Sequence, residues 1–267
     1  MSFEERYARQ IALPEIGAEG QKKICSASAL CVGLGGVGGA AIQYLAAAGV
    51  GRIGLVDGES VAITDLPRQV VHTMADLDAP KVFSAARSIN AQNPEVCVEC
   101  HPQKLSSENA IDLLLRYDVV LDCSDNFATR FLVNDACFFA QRPLVSGSVF
   151  QWGGQVTIFL RADNGPCYRC LYAEAPPAEI APSEADAGVF GVASGIIGLL
   201  QANEALKLIL DVGDLLHGRL LIFDALATSF RTMHVRKNPD CALCGIQPTI
   251  TGLVEQNRDI PPAGSAP

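Results

Sequence analysis

One stretch, Ala29-Leu30-Cys31-Val32-Gly33-Leu34-Gly35-Gly36-Val37-Gly38-Gly39-Ala40-Ala41, constrains this chain more than any other. Leu30 to Val32 is a short apolar run that predicts a buried strand, and the glycines after it remove side chains that would stop the backbone closing on a phosphate or a neighbouring strand. A helix is expected over 40–48 with Gly49 as a left-handed C-cap, its free N–H groups and positive dipole end facing an anion. Strand, glycine turn and helix in that order fit an NAD, FAD or ATP site, and also plain tight strand–helix packing. The residues that follow have to separate these.

Arg52 to Val56 predicts a second strand, closed by Asp57 about twenty residues after the turn, where a Rossmann-type unit places an acid on ribose hydroxyls. Thr64-Asp65-Leu66-Pro67-Arg68-Gln69 reads as a polar loop, and Pro80-Lys81 opens a helix over 81–90 with proline well placed at its start. Strands over 97–100 and 118–121 and helices over 109–116 and 128–141 follow, with Asp122-Cys123-Ser124-Asp125-Asn126 at a strand's carboxyl end, the edge where open α/β sheets bind ligands. A strand over 143–149 comes next, then segments over 154–160, 219–224 and 230–235 that suit antiparallel pairing. The expected fold is therefore α/β with a Rossmann-like mixed sheet, parallel in its N-terminal part and antiparallel at its C-terminal end, flanked by helices. Residues 3–24 should be helical at both ends around Pro14 and Gly17. The polar loop 174–187 reads as a mobile crossover, 194–210 as an apolar helix with Gly195 and Gly198 at a subunit contact, and 255–267 as a disordered tail after one continuous domain over 1–254.

Composition narrows the function. With 267 residues, 49% of them hydrophobic, the chain can bury a sizeable core. A net charge of -9 offers no basic field for nucleic acid or an anionic membrane. The opening MSFEERYARQ is charged and no uncharged apolar stretch is of membrane-spanning length, so a cytoplasmic protein is expected. Ten cysteines then point to thiols or metal rather than a disulfide framework.

Cys167-Tyr168-Arg169-Cys170 and Cys241-Ala242-Leu243-Cys244 each have the knuckle spacing that turns two thiolates toward one ion, and Gly165, Pro166 and Gly245 flank them as turn residues. Four thiolates complete a closed, structural zinc site; unrelated thiol pairs or a redox role are the alternatives. Cys97 and Cys100 share the spacing but lie in a predicted strand, where residues three apart face opposite ways. Asp57, Arg68, Lys81 and Asp125 gather charge at the proposed nucleotide edge. Hydride transfer has no need of two cations and an extra carboxylate there, whereas a nucleoside triphosphate uses Arg68 and Lys81 on its phosphates and Asp125 on Mg²⁺.

Arg6-Tyr7-Ala8-Arg9-Gln10, Gly33 to Gly38, Asp57, Leu66-Pro67-Arg68-Gln69, Pro80-Lys81, Asp122 to Asn126, Pro166 to Cys170 and Cys241 to Gly245 occur in an order that resembles the MoeB/ThiF/HesA family of ubiquitin-activating-enzyme-like adenylyltransferases, over roughly residues 4–252. The resemblance implies ATP and Mg²⁺ as cofactors, with Zn²⁺ on Cys167, Cys170, Cys241 and Cys244. It implies adenylation of the C-terminal glycine carboxylate of a small ubiquitin-fold sulfur carrier ending in Gly-Gly, with release of pyrophosphate. A carrier for molybdopterin synthesis is the leading expectation and a thiamin or thio-metabolite carrier the alternative. A different class, an NAD-dependent oxidoreductase or a carrier-binding relative without catalysis, is the remaining reading.

By position, the resemblance puts Gly36 close to the nucleotide, Asp57 on the ribose, Arg68 and Lys81 on the triphosphate and Asp125 on magnesium. Gly33, Gly35, Gly38, Asp65, Gln69 and Asn126 complete the nucleotide site, and Arg9 reaches the ATP of the other subunit of a homodimer. Two departures matter. Asp65 stands where the family carries Asn, so its carboxylate would repel phosphate unless a cation intervenes. Glu184 falls where relatives often carry a crossover-loop cysteine, so a loop thioester or persulfide is not expected.

Overall fold

The computed structural model describes residues 3–161, 165–176 and 187–253. The glycine stretch forms strand β1 (Ser28–Val32), a turn and helix α3 (Gly36–Ala48), so the helix starts four residues earlier than expected and takes Gly36, Gly38 and Gly39 into its first turn. Gly49 closes it in the left-handed conformation at φ 90°. Before it, α1 (Phe3–Ile11) and α2 (Gly17–Ser26) flank the Pro14 break.

β2 (Arg52–Val56) and β3 (Cys97–His101) extend the sheet on one side of β1, with α4 (Lys81–Gln92) crossing between them. On the other side lie β4 (Val119–Asp122) and β5 (Leu144–Phe150), connected through α6 (Phe127–Ala140); α5 (Ala110–Leu114) precedes β4. These five strands are parallel. β6 (Gly153–Phe159), β7 (Arg219–Asp224) and β8 (Ser229–His234) then run antiparallel, giving one eight-stranded sheet in the order β3-β2-β1-β4-β5-β6-β7-β8. The mixed sheet matches the expectation. Short α7 (Tyr168–Leu171) and long α8 (Gly191–Leu210) complete the elements used below.

Alternation along the central strands builds two core layers. Ala29 and Cys31 of β1 face the side packed by α3 and α8, while Leu30 and Val32 face α5 and α6. Burial on both faces is why these strands read as continuous apolar runs.

α8 is long and apolar enough to cross a membrane by length and composition, yet it lies against α3 and the sheet and carries buried Gln201 and Glu204. The Glu204 carboxylate accepts from Lys207 at 2.6 Å and from the Leu216 N–H at 2.8 Å. The subunit contact expected at Gly198 is corrected: a Cβ there would stand 2.2 Å from the Val37 carbonyl oxygen, so this glycine lets α8 and α3 of one chain approach. Gly195 has open space beside it. Ten residues of the crossover, 177–186 with Glu184, lie outside the described residues, as does the tail over 255–267.

Candidate active site

At the carboxyl edge of the parallel strands, the turn after β1 is locked from both sides. The Gly33 N–H donates to Val56 of β2 and the Cys123 N–H donates to Val32. Gly33 sits at φ 91°, and a Cβ there would meet the Cys123 carbonyl oxygen at 2.8 Å. Gly38 is more crowded, its missing Cβ lying 2.0 Å from the Gly33 carbonyl oxygen. At Gly36 the missing Cβ would meet Ser194 of α8 at 2.8 Å and the Arg68 carbonyl oxygen at 2.9 Å. These three glycines are required by close backbone packing, and that packing brings the 64–69 loop onto the turn.

Asp57 lies beside the turn, its Oδ2 accepting from the Leu34 N–H at 2.8 Å and its Oδ1 from Glu59 N–H at 2.8 Å. Burial pushes its carboxyl above the ordinary value, against the pull of these N–H groups and of Lys81. Asp65 is buried and accepts from the Ala62 N–H at 3.0 Å and the Gln69 amide at 2.9 Å. Its two oxygens also lie 3.4 Å from Arg68 and 3.5 Å from Lys81. The cation that the sequence required beside this carboxylate is thus present twice over. Arg68 is further held by the Thr64 carbonyl at 2.8 Å.

Lys81 is 5% exposed and pairs with Glu59 at 2.7 Å. Burial alone would lower its pKa, but Glu59, Asp57 and Asp65 outweigh burial and raise it. Gln69 completes the cluster, with its Oε1 buried and lacking a partner.

The 122–126 loop adjoins this cluster through the Gly33–Cys123 contact. Asp125 and Asn126 are exposed, the Asn126 amide donating to Asp125 at 3.2 Å while its oxygen caps α6 by accepting from the Thr129 N–H at 2.9 Å. Close packing, hydrogen bonds and ion pairs therefore join Gly33, Gly35, Gly36, Gly38, Asp57, Asp65, Arg68, Gln69 and Lys81, while Asp125 and Asn126 lie exposed on the adjoining 122–126 loop. Arg9 is not brought to it within the chain. Its helix is anchored at the opposite end of α3, where Tyr7 packs on Gly49 and bonds Asn93, and Gln10 donates to the Ala48 carbonyl.

Several supporting residues escaped the sequence reading. His72 reaches the Leu34 carbonyl and Ser84, and burial lowers its pKa. Gln201 donates to the Asp122 and Val145 carbonyls, and Arg130 donates twice to the Ser124 carbonyl. A polar residue inside an apolar helix, as at Gln201, was the available signal.

The second constellation is the cysteine cluster. The sulfurs of Cys167, Cys170, Cys241 and Cys244 all lie within 4.8 Å of one another, with Cys167–Cys241 at 3.6 Å and Cys170–Cys244 at 3.3 Å. Tetrahedral zinc with Zn–S of about 2.3 Å places its sulfurs about 3.8 Å apart, so the donor set fits the ion. Hydrogen bonds from Cys167 and Cys244 hold the Cys170 thiol below its ordinary range, and the same contacts push Cys167 up. Cys97 is exposed and Cys100 turns away to the Val82 carbonyl, as the strand geometry requires. Cys31 and Cys123 meet at 3.7 Å in the core, a pairing that sequence spacing did not reveal.

A glycine turn at the carboxyl edge of a parallel half-sheet, an acid just past the end of the next strand and two clustered cations define a Rossmann-like α/β chain of the nucleotide-handling class. The chain belongs to the ThiF family, whose sequence profile matches residues 7–243. It is 49% identical over 255 residues to a sulfur carrier protein adenylyltransferase of Thermus thermophilus, covering 94% of each chain. It is also 51% identical over 251 residues to the adenylyltransferase and sulfurtransferase MOCS3 of Sus scrofa, covering 93% of this chain and 54% of that protein. The chain thus spans about half the length of its MOCS3 relatives. The crystal structure of E. coli MccB with ATP shares the fold, with a TM-score of 0.78 and 19% identity over 90% of this chain and 74% of that one.

Proposed function

We propose that this chain is an ATP- and Mg²⁺-dependent adenylyltransferase that activates the C-terminal glycine carboxylate of a small ubiquitin-fold sulfur carrier, serving molybdopterin synthesis. The observation that carries the reading is the placement of Arg68 and Lys81 around Asp65, against the glycine turn. The 49% identity to a protein named for adenylating a sulfur carrier supports the substrate class.

The chemistry asks little of the protein beyond this inventory. A terminal carboxylate is ionised at neutral pH and attacks the α-phosphorus of ATP without a general base. The new C–O–P bond forms as the bond to pyrophosphate breaks, and no proton is transferred. What remains is alignment and neutralisation of the leaving group. Arg68 and Lys81 supply cations fixed by Asp65, Glu59 and Thr64, and Asp57 supplies an acceptor beside the turn for the ribose. Asp125 would hold Mg²⁺, which adds positive charge to the phosphates when bound. Arg9, exposed and remote from its own turn, serves the site of a second subunit in a homodimer. Zinc on the four thiolates would fill a closed site, with no open position for substrate. The protein acts in the cytoplasm.

The test is ATP–pyrophosphate exchange with Mg²⁺ and a panel of purified Gly-Gly-ended carriers. Exchange dependent on the molybdopterin carrier supports the reading, whereas exchange with another carrier alone moves the pathway and keeps the chemistry. Arg68→Ala and Lys81→Ala should each lower exchange at least 10²-fold. No exchange with any carrier, from folded and zinc-loaded protein, refutes the activity.

A further inference from the structure

α6 carries a buried polar seam that the reaction as described does not use. At its N-terminal end Arg130 donates Nε and an Nη to the Ser124 carbonyl at 3.2 and 3.0 Å. Ser124 is gripped from its other side too, its N–H and hydroxyl donating to Asp122 at 3.1 and 2.6 Å. The next residue is Asp125. One helical turn further along α6, Asn134 accepts from the Tyr168 N–H at 2.8 Å, and Asp135 receives a forked pair of hydrogen bonds from Arg169 at 2.8 and 2.7 Å. Tyr168 and Arg169 are the two residues between Cys167 and Cys170. Arg130, Asn134, Asp135 and Arg169 are all buried, between 2% and 8% exposed.

Burying two arginines and an aspartate is costly, and apolar residues of similar size would stabilise a core equally well or better. What the polar seam adds is direction. A forked guanidinium–carboxylate pair fixes orientation as well as distance. Arg169 also lies over the Phe131 ring at 4.6 Å and Arg130 over the Phe127 ring at 5.3 Å, so both guanidinium planes are seated on the same helix. Residues 130 and 135 are separated by only about 7.5 Å of helix. One short helical segment therefore connects the Cys167–Cys170 turn to the carbonyl that precedes Asp125.

We propose that Arg130, Asn134, Asp135 and Arg169 are positioning residues through which metal on the four-cysteine cluster sets the geometry of the Asp125 loop, so that the metal and the magnesium-bound nucleotide bind with positive coupling. This rests on the zinc and Mg–ATP sites of the proposed function. A merely structural zinc would hold the fold and leave nucleotide affinity untouched.

Coupling between two binding sites is reciprocal, so it can be read at the cluster without any turnover. The experiment measures Zn²⁺ affinity of the full chain by chelator competition, with and without Mg²⁺ and a non-hydrolysable ATP analogue, and follows analogue binding by calorimetry in the same samples. The expected result is a zinc affinity raised about 5-fold or more by the Mg–nucleotide, within the usual range of allosteric coupling. Arg169→Lys keeps the charge but loses the forked pair with Asp135, Arg130→Lys keeps it but loses the double donation to the Ser124 carbonyl, and each should bring the ratio toward one while both ligands still bind; either variant suffices if the other fails to fold. A wild-type ratio of one, with the analogue bound, overturns this inference alone. Absence of analogue binding overturns the nucleotide reading and this inference with it.

Discussion

Replacing Asp65 by an amide, Asp65→Asn, should tighten ATP binding. The Asp65 oxygens lie 3.4 Å from Arg68 and 3.5 Å from Lys81. A phosphate oxygen bonded by either cation at about 2.8 Å would then stand at most about 6.3 Å from that carboxylate. Coulomb repulsion between unit charges at this separation is about 2.6 kcal/mol at an effective dielectric of 20 and about 0.7 kcal/mol in water. Removing the charge should lower Kd for ATP by a factor of about 3 to 80. Shape is preserved. The new amide oxygen can accept from the Ala62 N–H, and the Gln69 amide, whose Oε1 is buried without a partner, can turn over to accept from the new N–H. Calorimetric titration of wild type and variant at one fixed ionic strength, beside their melting curves, is the assay. Equal or weaker binding by a variant of unchanged Tm would refute the reasoning, because it would mean that Asp65 is not competing with phosphate for the two cations.

Three further predictions test other parts of the structure. Gly38→Ala drives a Cβ to 2.0 Å from the Gly33 carbonyl oxygen and should cost about 3 kcal/mol or more, while Gly195→Ala, with open space on α8, should stabilise by up to about 1 kcal/mol; opposite Tm shifts by calorimetry are expected. Asp76, the last residue of a short 3₁₀ turn (Met74–Asp76) and the capping-box partner of its N-cap Thr73, is held below its ordinary carboxyl range: burial raises it, but bonds from Arg87 and Thr73 more than offset that. A depressed folded pKa contributes stability above the unfolded value of 3.8 and loses it as pH falls through the folded value, so Asp76→Asn should cost about 1 kcal/mol at pH 7. Its Tm gap from wild type should be constant above about pH 4 and narrow progressively as pH falls below that toward the depressed folded value; a gap independent of pH contradicts the linkage. Cys241→Ser should reduce bound zinc and lower Tm, and full metal content by mass spectrometry under native conditions would reject the four-thiolate site.

Much of the fold was legible because its signals are local. Continuous apolar runs marked strands buried on both faces, Gly49 marked a C-cap that the structure places at φ 90°, and the change of pattern after Val149 marked the antiparallel strands. Where local signals compete, boundaries moved: Gly36, Gly38 and Gly39 are poor helix formers and read as turn, yet packing against β1, the 64–69 loop and α8 makes them helix. Gly198 showed the same limit. A small residue announces a close contact without saying whether the neighbour belongs to the same chain.

By itself, then, the sequence determined the order of strands and helices, the glycine turn, the charged residues at strand ends and the two Cys-x-x-Cys turns, because each depends on residues adjacent along the chain. Only the tertiary structure decided that two cysteine pairs 74 positions apart converge, that Asp65 lies between Arg68 and Lys81, and that one helix joins the cysteine knuckle to the Asp125 loop. Those relations are distances between segments remote in sequence. Side-chain packing of the whole chain sets them, and no local periodicity encodes them.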